Sequence, residues 1–344
     1  MKAMVLHEFG KALSLRDVAI PKVGPDEALV KVAVCAPDRF DTRIKAGGTP
    51  GVQLPLILGH EIAGEVVEVG REVTNVKPGE RVIIYTYFTC GFCRFCKIGR
   101  ESLCTSFRGI IGVHFDGGYA EYVKATAQNL LRIPDGMAYE DAAMATNCVI
   151  TSYHALKRRG QLEPVDDVLI VGGGGGVGIH GVQVAKALGA RRVIAVDVFE
   201  DKLEKAKSVG ADHVILNTGR DPFDEEVMRF TGGRGVDVAI ELVGLDETLE
   251  ATYRSMATAG RMVIIAGYAG PGFTVHPRKL QGQEVILTGS RAASRFELAD
   301  SLELVRLGRV KPVVTARFPL EETDRALELE LANKIVGRAV IAMQ

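Results

Sequence analysis

The 344-residue sequence has no tryptophan, and no apolar run comes close to the 18 residues that a membrane-spanning helix needs. A charge excess of either sign is also absent: 42 lysines and arginines stand against 43 aspartates and glutamates, so electrostatics give no reason to expect nucleic-acid binding. The N-terminus, Met1 to Val5, reads directly as a strand, without a signal peptide. These absences predict a soluble cytoplasmic protein without membrane or nucleic-acid partners.

Cysteine is scarce, yet four of the six cysteines form one cluster, with the spacing Cys90-x2-Cys93-x2-Cys96-x7-Cys104. Disulfides are rare in the cytoplasm, whereas four thiolates in one short lobe are typical of a closed tetrahedral zinc site with a structural role. An iron–sulfur centre is the alternative occupant. The two remaining cysteines, Cys35 and Cys148, stand alone, and we expect them to be buried apolar side chains.

A glycine loop organises the second half of the chain. The apolar strand 168–171 leads into five consecutive glycines, and a helix follows until Gly189 ends it. Gly173, Gly175 and Gly178 have the G-x-G-x-x-G spacing of a dinucleotide-binding loop, in which backbone and a helix N-terminus receive the pyrophosphate. The predicted loop contacts of the cofactor are Gly173, Gly175, Gly176, Val177 and Gly178.

The strand after this loop ends at Asp197, the position where a carboxylate can bind the adenosine ribose hydroxyls. Asp197 favours NAD over NADP, because the 2′-phosphate of NADP would lie against its negative charge. The nearby basic residues Lys202, Arg191 and Arg192 keep NADP as an alternative. If no cofactor binds here, the alternative interpretation is that the glycines form a flexible linker and that Asp197 is a helix cap.

The pattern of the chain predicts an α/β architecture with a β-rich N-terminal part. Short strands and turns fill the region that carries the cysteine lobe, and alternating strands and helices follow from about residue 140. Six candidate strands with helices between them predict a doubly wound parallel sheet: 168–171, 192–196, 213–216, 236–240, 262–266 and 285–288. A helix at 295–307 and a strand at 338–341 indicate a return to the first domain.

One further motif, Gly59-His60-Glu61-x2-Gly64-x5-Gly70-x2-Val73, completes a set that resembles the zinc-containing alcohol dehydrogenase family of the medium-chain dehydrogenase/reductase superfamily. The resemblance covers essentially the whole chain. It implies a GroES-like β-rich catalytic domain at residues 1–150 and 292–344, with a structural-zinc lobe at about 88–106. It also implies a Rossmann dinucleotide-binding domain at 151–291 and assembly into a homodimer or homotetramer.

The resemblance further implies an altered catalytic metal site. In the family a zinc ion is held by a Cys, by the His of Gly-His-Glu and by a third Cys or acidic residue. Here these positions fall on Asp38, His60 and Asn147, and the position of a proton-relaying hydroxyl holds Phe40. Asp38, His60 and Glu61 could still bind zinc through oxygen and nitrogen, or the site could work without a metal. The predicted catalytic residues are Asp38, His60, Glu61 and Asn147.

Position in the family pattern also places Thr151 and Ser290 near the nicotinamide, Val243 near the adenine ribose and Arg338 near the pyrophosphate. The implied function is NAD(P)(H)-dependent hydride transfer between nicotinamide and a small alcohol or carbonyl substrate. One alternative is a reductase of an activated C=C bond (an enone, a quinone or an enoyl thioester) without a catalytic zinc. A non-catalytic nucleotide-binding protein is a further alternative, because cofactor binding does not imply turnover.

Overall fold

The computed structural model describes residues 1–219, 222–267 and 272–343. The chain divides into two compact units: Met1–Asn147, Ala293–Arg306 and Pro312–Gln344 form unit one, and Cys148–Ala292 with Leu307–Lys311 forms unit two. The domain bounds given above stay a prediction. Over the described ranges, no helix is both long enough and apolar enough to cross a membrane.

The N-terminal part of unit one is built mainly from short strands. Its turns contain glycine and proline, and most strand residues of β1, β3, β5 and β6 are buried. Its elements are β1 (Lys2–Leu6), β2 (Ser14–Asp17), β3 (Glu27–Ala36), α1 (Arg39–Lys45), β4 (Leu56–Ile57), β5 (Glu61–Val69), β6 (Arg81–Ile84), β7 (Tyr87–Phe88), α2 (Arg94–Lys97), β8 (Gly109–Ile110), β9 (Tyr122–Thr126), β10 (Leu130–Arg132) and α3 (Tyr139–Met144).

Unit two is an alternation of helices and strands. Its elements are α4 (Ile150–Tyr153), β11 (Asp167–Val171), α5 (Gly176–Ala187), β12 (Arg192–Asp197), α6 (Glu200–Ser208), β13 (His213–Leu216), α7 (Asp224–Phe230), β14 (Val236–Glu241), α8 (Asp246–Arg254), β15 (Met256–Ile264), α9 (Pro277–Gly282) and β16 (Ile286–Gly289). The chain is π-helical over Ala145–Val149, before α4, and again over His154–Arg159.

The six strands of unit two pair in the order β13-β12-β11-β14-β15-β16, all parallel. This confirms the predicted doubly wound sheet. The central strands are buried along their length, which is why they read as continuous apolar runs in the sequence. The strand predicted at 262–266 begins earlier, at Met256, and ends at Ile264.

Unit one is completed by the C-terminal elements α10 (Arg295–Arg306), β17 (Val314–Pro319), α11 (Thr323–Leu331) and β18 (Arg338–Ala342). Strand β18 pairs with β3, so that one sheet runs β10-β6-β5-β3-β18-β17, with β9 also on β3. This pairing brings the end of the chain beside the residues that follow β3. The predicted return to the first domain is therefore what positions Arg338 at the site described next.

Candidate active site

Asp38 is the N-cap of α1. Its Oδ1 accepts hydrogen bonds from the backbone N–H groups of Phe40 (2.8 Å) and Asp41 (3.0 Å), and Asp41 Oδ2 accepts the N–H of Asp38 in return (3.2 Å). Such a reciprocal cap satisfies donors that the first helical turn leaves open. It commits one oxygen of Asp38 to the helix and leaves Oδ2 as the oxygen that can receive a substrate or an ion.

His60, which is 5% exposed, lies between two carboxylates. Its Nδ1 is 3.1 Å from Asp41 Oδ1, and its Nε2 is 3.6 Å from Asp38 Oδ2. An ionised carboxylate only accepts hydrogen bonds, so Nδ1 carries a proton and Nε2 faces Asp38. Burial alone would lower the pKa of His60, but the charges of Asp38 and Asp41 raise that pKa to about 10. The imidazole is therefore positively charged at neutral pH when no metal ion is bound.

The glycine before His60 explains how the chain reaches this position. Gly59 has a φ of +94°, and a Cβ added to it would lie 2.7 Å from Cys35 Sγ and 2.8 Å from a ring carbon of Tyr119. Only glycine fits a left-handed turn between such close neighbours. Tyr119 also donates its hydroxyl to Asp41 Oδ2 at 2.6 Å. Burial raises the pKa of Tyr119, so that this hydroxyl stays a donor.

Glu61 and Arg338 form a buried ion pair beside His60. Arg338 Nη2 donates to Glu61 Oε1 at 2.6 Å and to the carbonyl oxygen of Pro37 at 2.9 Å. Glu61 Oε2 is buried and has no hydrogen-bond partner among the described residues. Burial raises the pKa of Glu61 and the charge of Arg338 opposes this rise, which leaves the pKa at about 7. The carboxyl group of Glu61 can therefore gain or lose a proton near neutral pH.

Asn147 connects the two halves of the site. Its Nδ2 donates to Asp38 Oδ2 at 3.0 Å and to Glu61 Oε1 at 2.7 Å. It is carried by the π-helical segment Ala145–Val149, an irregularity that often occurs at functional sites. An amide nitrogen between two carboxylate oxygens holds both in place, and it offers no electron pair to a metal ion.

The donor set therefore fits a catalytic zinc ion only in part. Tetrahedral zinc with bonds of about 2.0–2.2 Å to oxygen and nitrogen places two ligand atoms about 3.4 Å apart. Asp38 Oδ2 and His60 Nε2, 3.6 Å apart, meet this requirement. The third family position, Asn147, turns its N–H groups toward the carboxylates instead. Asp41 lies close enough to count as a ligand, but its oxygens already accept from His60, Tyr119 and Asp38.

All four predicted catalytic residues, Asp38, His60, Glu61 and Asn147, thus lie together in unit one. Their catalytic role stays a prediction. Sequence reasoning gave no role to Asp41 or Tyr119 at this site and placed Arg338 at the cofactor. The Asp-x-x-Asp spacing of a capping box was the available signal for Asp41. Arg338 pairs with Glu61, and its predicted contact with the pyrophosphate stays a prediction.

The cysteine lobe has the geometry of a mononuclear metal site. Four of its sulfur–sulfur distances are 3.5, 3.5, 3.9 and 3.9 Å, close to the roughly 3.8 Å expected around tetrahedral zinc with bonds of about 2.3 Å. Backbone N–H groups of Cys96 and Thr105 lower the pKa of Cys93 to about 5, which favours the thiolate that a metal requires. Cys90, Cys93, Cys96 and Cys104 therefore fit the structural zinc predicted from their spacing.

The glycine loop of unit two has the shape of a phosphate cradle. A Cβ on Gly178 would lie 2.1 Å from the carbonyl oxygen of Gly172, and one on Gly173 would lie 2.6 Å from Ala195 Cβ, so both must be glycine. At Gly175, the N-cap of α5, the nearest such neighbour is Gly172 O at 3.3 Å. Gly176, Val177 and Gly178 form the first turn of α5, whose N–H groups have no partner within the helix. The loop fits the pyrophosphate of a dinucleotide.

Three of the other predicted cofactor residues lie at or just after the carboxyl ends of the parallel strands, where doubly wound sheets bind their ligands. Asp197 ends β12 and accepts the N–H of Gly174 at 2.9 Å. Val243 follows β14. Ser290 follows β16, and its backbone N–H donates to the carbonyl oxygen of Ile264 at 2.9 Å. Two lie in helices: Lys202 is buried in α6, and Thr151 lies in α4.

Two family models match this chain: the alcohol dehydrogenase GroES-like domain over residues 24–135, and the zinc-binding dehydrogenase domain over residues 176–306. The chain is 36% identical to an NAD-dependent alcohol dehydrogenase of Sulfolobus acidocaldarius and 33% identical to an acryloyl-coenzyme A reductase of Metallosphaera sedula. Each alignment covers 99% of both chains. A solved NAD-dependent alcohol dehydrogenase matches the whole structure with a TM-score of 0.93 at 32% identity, with 100% of each chain covered. The chain belongs to the zinc-containing alcohol dehydrogenase family of medium-chain dehydrogenases/reductases and is an oxidoreductase.

Proposed function

We propose that this oxidoreductase transfers hydride between NAD(H) and an alcohol or carbonyl substrate, and that Asp38 and His60 receive the substrate oxygen. The observation that carries this proposal is the pair of Nε2 of His60 and Oδ2 of Asp38, 3.6 Å apart. Asp41 holds His60 on its other nitrogen, so that Nε2 is kept facing Asp38. A pair of polar groups that a third residue holds in position before the substrate arrives can stabilise the charge that develops on a reacting oxygen.

The chain's own residues supply orientation and charge in this reaction. Asp41 fixes the His60 ring, Asn147 holds the free oxygen of Asp38, and Arg338 balances the buried charge of Glu61. NAD supplies the hydride chemistry when it is bound, and the glycine loop with Asp197 is the part of the chain that fits it. A zinc ion held by Asp38 and His60 would supply a Lewis acid at the same place.

A second function, reduction of a C=C bond conjugated to a carbonyl, is favoured by two residues. Asn147 turns its N–H groups toward carboxylates where the family has a metal ligand. Phe40 stands where the family has the hydroxyl that relays the alcohol proton, and its ring lies edge-on to His60 with centroids 5.7 Å apart. The acryloyl-coenzyme A reductase relative shows that the family includes such reductases. In that reaction the hydride adds to the β-carbon and a proton to the α-carbon, and the protonated imidazole of His60, beside Asp38, is the nearby acid.

Zinc content and substrate preference together test the two functions. Purified protein would be dialysed against metal-free buffer, its zinc per chain measured, and its turnover of NADH compared on ketones, aldehydes, enones and enoyl thioesters. The variant Asp38→Asn keeps an acceptor for the α1 cap and removes the charge, whereas Asp38→Ala removes both. The cysteine lobe gives every sample an internal reference of one zinc ion per chain.

Two zinc ions in the parent protein, one in Asp38→Asn, and turnover of carbonyl substrates would support the first function. One zinc ion in both, with turnover confined to enones or enoyl thioesters, would exclude it in favour of the second. The finer expectations from the sequence, a homodimer or homotetramer and a cytoplasmic location, stay predictions. Size-exclusion chromatography coupled to light scattering measures the first of these.

A further inference from the structure

Tyr119 is a buried residue that the proposed mechanism does not yet use. It is fully buried, its N–H donates to Leu58 O at 3.1 Å, and its carbonyl accepts from Met4 N at 2.8 Å. Its ring packs so closely on Gly59 that no side chain could be added there. The position of the Tyr119 hydroxyl is therefore set by the backbone around β1 and β4, independently of α1.

That hydroxyl reaches the central carboxylate of the site. Asp41 accepts three hydrogen bonds: from Tyr119 Oη at 2.6 Å, from Asp38 N at 3.2 Å and from His60 Nδ1 at 3.1 Å. The bond from Asp38 arises within the cap of the helix that carries Asp41 itself. The bond from His60 arises from the group that is to be held. Tyr119 is the one donor of the three that belongs neither to the cap of α1 nor to the histidine itself.

We infer that Tyr119 is a positioning residue: its hydroxyl fixes the Asp41 carboxylate and, through it, the ring orientation of His60. This inference rests on the proposed function of His60. Without the hydroxyl, Asp41 Oδ2 would keep only the longer bond from Asp38, and the carboxylate could turn about its side-chain bond. His60 would then lose the fixed acceptor that keeps its Nδ1 protonated and its Nε2 toward Asp38.

A group that hydrogen-bonds directly to a metal-binding histidine typically contributes 10- to 100-fold to activity or metal affinity. Tyr119 acts on His60 through Asp41, and we expect a loss in the same range. The substitution Tyr119→Phe removes the hydroxyl and keeps the ring against Gly59. A matched control is Tyr253→Phe in unit two, where another buried tyrosine (3% exposed) donates its hydroxyl to the carbonyl of His276 at 3.1 Å. Both variants lose one hydrogen bond of a buried tyrosine, and only the first of these bonds involves Asp41.

The experiment compares full-length parent, Tyr119→Phe and Tyr253→Phe protein by kinetics, thermal unfolding and nitrogen-15 NMR of the histidine rings. The His60 resonances are assigned by their loss in His60→Asn. We expect similar melting temperatures for the two variants, and a kcat lowered about 10- to 100-fold only in Tyr119→Phe, with KM changed less than about threefold. The His60 ring shifts should change only in Tyr119→Phe, because only that variant alters the hydrogen bond between Nδ1 and Asp41.

Unchanged His60 shifts and an equal kcat in both variants would mean that Tyr119 only fills space, and would overturn the inference. The NMR result does not depend on turnover. If the parent protein reduced no carbonyl substrate, the proposed function would fail, yet the His60 shifts of Tyr119→Phe would still decide whether the hydroxyl orients this ring. The two proposals can therefore fail separately.

Discussion

The cofactor preference of this enzyme should depend on one carboxylate, that of Asp197. It ends β12 beside the glycine loop, with Oδ2 accepting Gly174 N at 2.9 Å and Oδ1 accepting Val198 N at 2.8 Å. A Cβ on Gly174 would lie only 3.1 Å from Asp197 Oδ2, which shows how closely the loop packs on this group. The substitution Asp197→Asn keeps one acceptor for the loop and removes the negative charge.

The expected size of the effect follows from two terms. A hydrogen bond to a charged group contributes about 1.5–3 kcal/mol, so losing the charged acceptor of the ribose hydroxyls should weaken NADH binding about 10- to 150-fold. Two charges about 4 Å apart interact by about 4 kcal/mol at an effective dielectric constant of about 20. Because Asp197 is partly exposed, we take about a third of this energy for its repulsion of the 2′-phosphate of NADPH. Removing the charge should therefore raise the affinity for NADPH about tenfold.

Fluorescence titration with NADH and NADPH measures both dissociation constants directly. The control is Asp201→Asn, which removes the same charge from the exposed first turn of α6, where the carboxylate accepts only the N–H of Lys202 among the hydrogen bonds described. We expect the NADH to NADPH preference to change about 100-fold or more in Asp197→Asn and hardly at all in the control. Equal changes in both variants, or an unchanged NADH affinity in Asp197→Asn, would refute the assignment of Asp197 to the ribose.

Two further predictions concern stability. Asp167→Asn should lower the free energy of unfolding by about 2–4 kcal/mol, because three partly exposed arginines share this fully buried carboxylate. Denaturant titration measures this loss, with Glu303→Gln, which breaks an exposed ion pair, as the control. A loss no larger than that of the control would contradict the prediction. The arginines lower the pKa of Asp167 in the folded protein. The stabilisation should therefore be complete above the pKa of about 3.9 that Asp167 has in the unfolded chain, and it should disappear as the pH falls through the lower pKa of the folded state. Measuring the free energy of unfolding in acid tests this expectation. Cys104→Ser should release one zinc ion per chain and lower the melting temperature, as zinc analysis and calorimetry would show; retention of that zinc would contradict the structural site.

The fold could be predicted well wherever hydrophobic runs and glycines mark the elements. Six strands were expected in unit two, and all six are present, because strands buried on both faces have a clear apolar signature. The exception is β15, whose first residues after Met256 are small and carry no such signature. That stretch joins the sheet at a register shift opposite Val236 and Val238, and Ala259 has a φ of +59°. Its pairing depends on backbone hydrogen bonds that a hydrophobic pattern does not reveal.

Four residues of the candidate site could be named from the sequence, but the contacts between them and the groups that orient them could not. Their positions in the family motifs identified Asp38, His60 and Asn147 as candidates, whereas several groups that orient them are distant in the sequence. Tyr119 lies 78 positions after Asp41, and Arg338 lies 277 positions after Glu61. The pairing of β18 with β3 brings the chain that carries Arg338 to the site, and a pairing between strands so far apart has no local sequence signal.

Asp38 shows why the identity of a ligand residue is not enough to predict metal binding. A carboxylate has two oxygens, but Oδ1 of Asp38 is committed to the first N–H groups of α1, which need an acceptor. Oδ2 remains, and Asn147 already donates to it. An ion at this place would receive one oxygen and one nitrogen from Asp38 and His60, against three ligands in the catalytic zinc sites of this family. We therefore expect any zinc held by this pair to exchange far more readily than zinc in the four-cysteine lobe, so that brief dialysis against a chelator should separate the two sites.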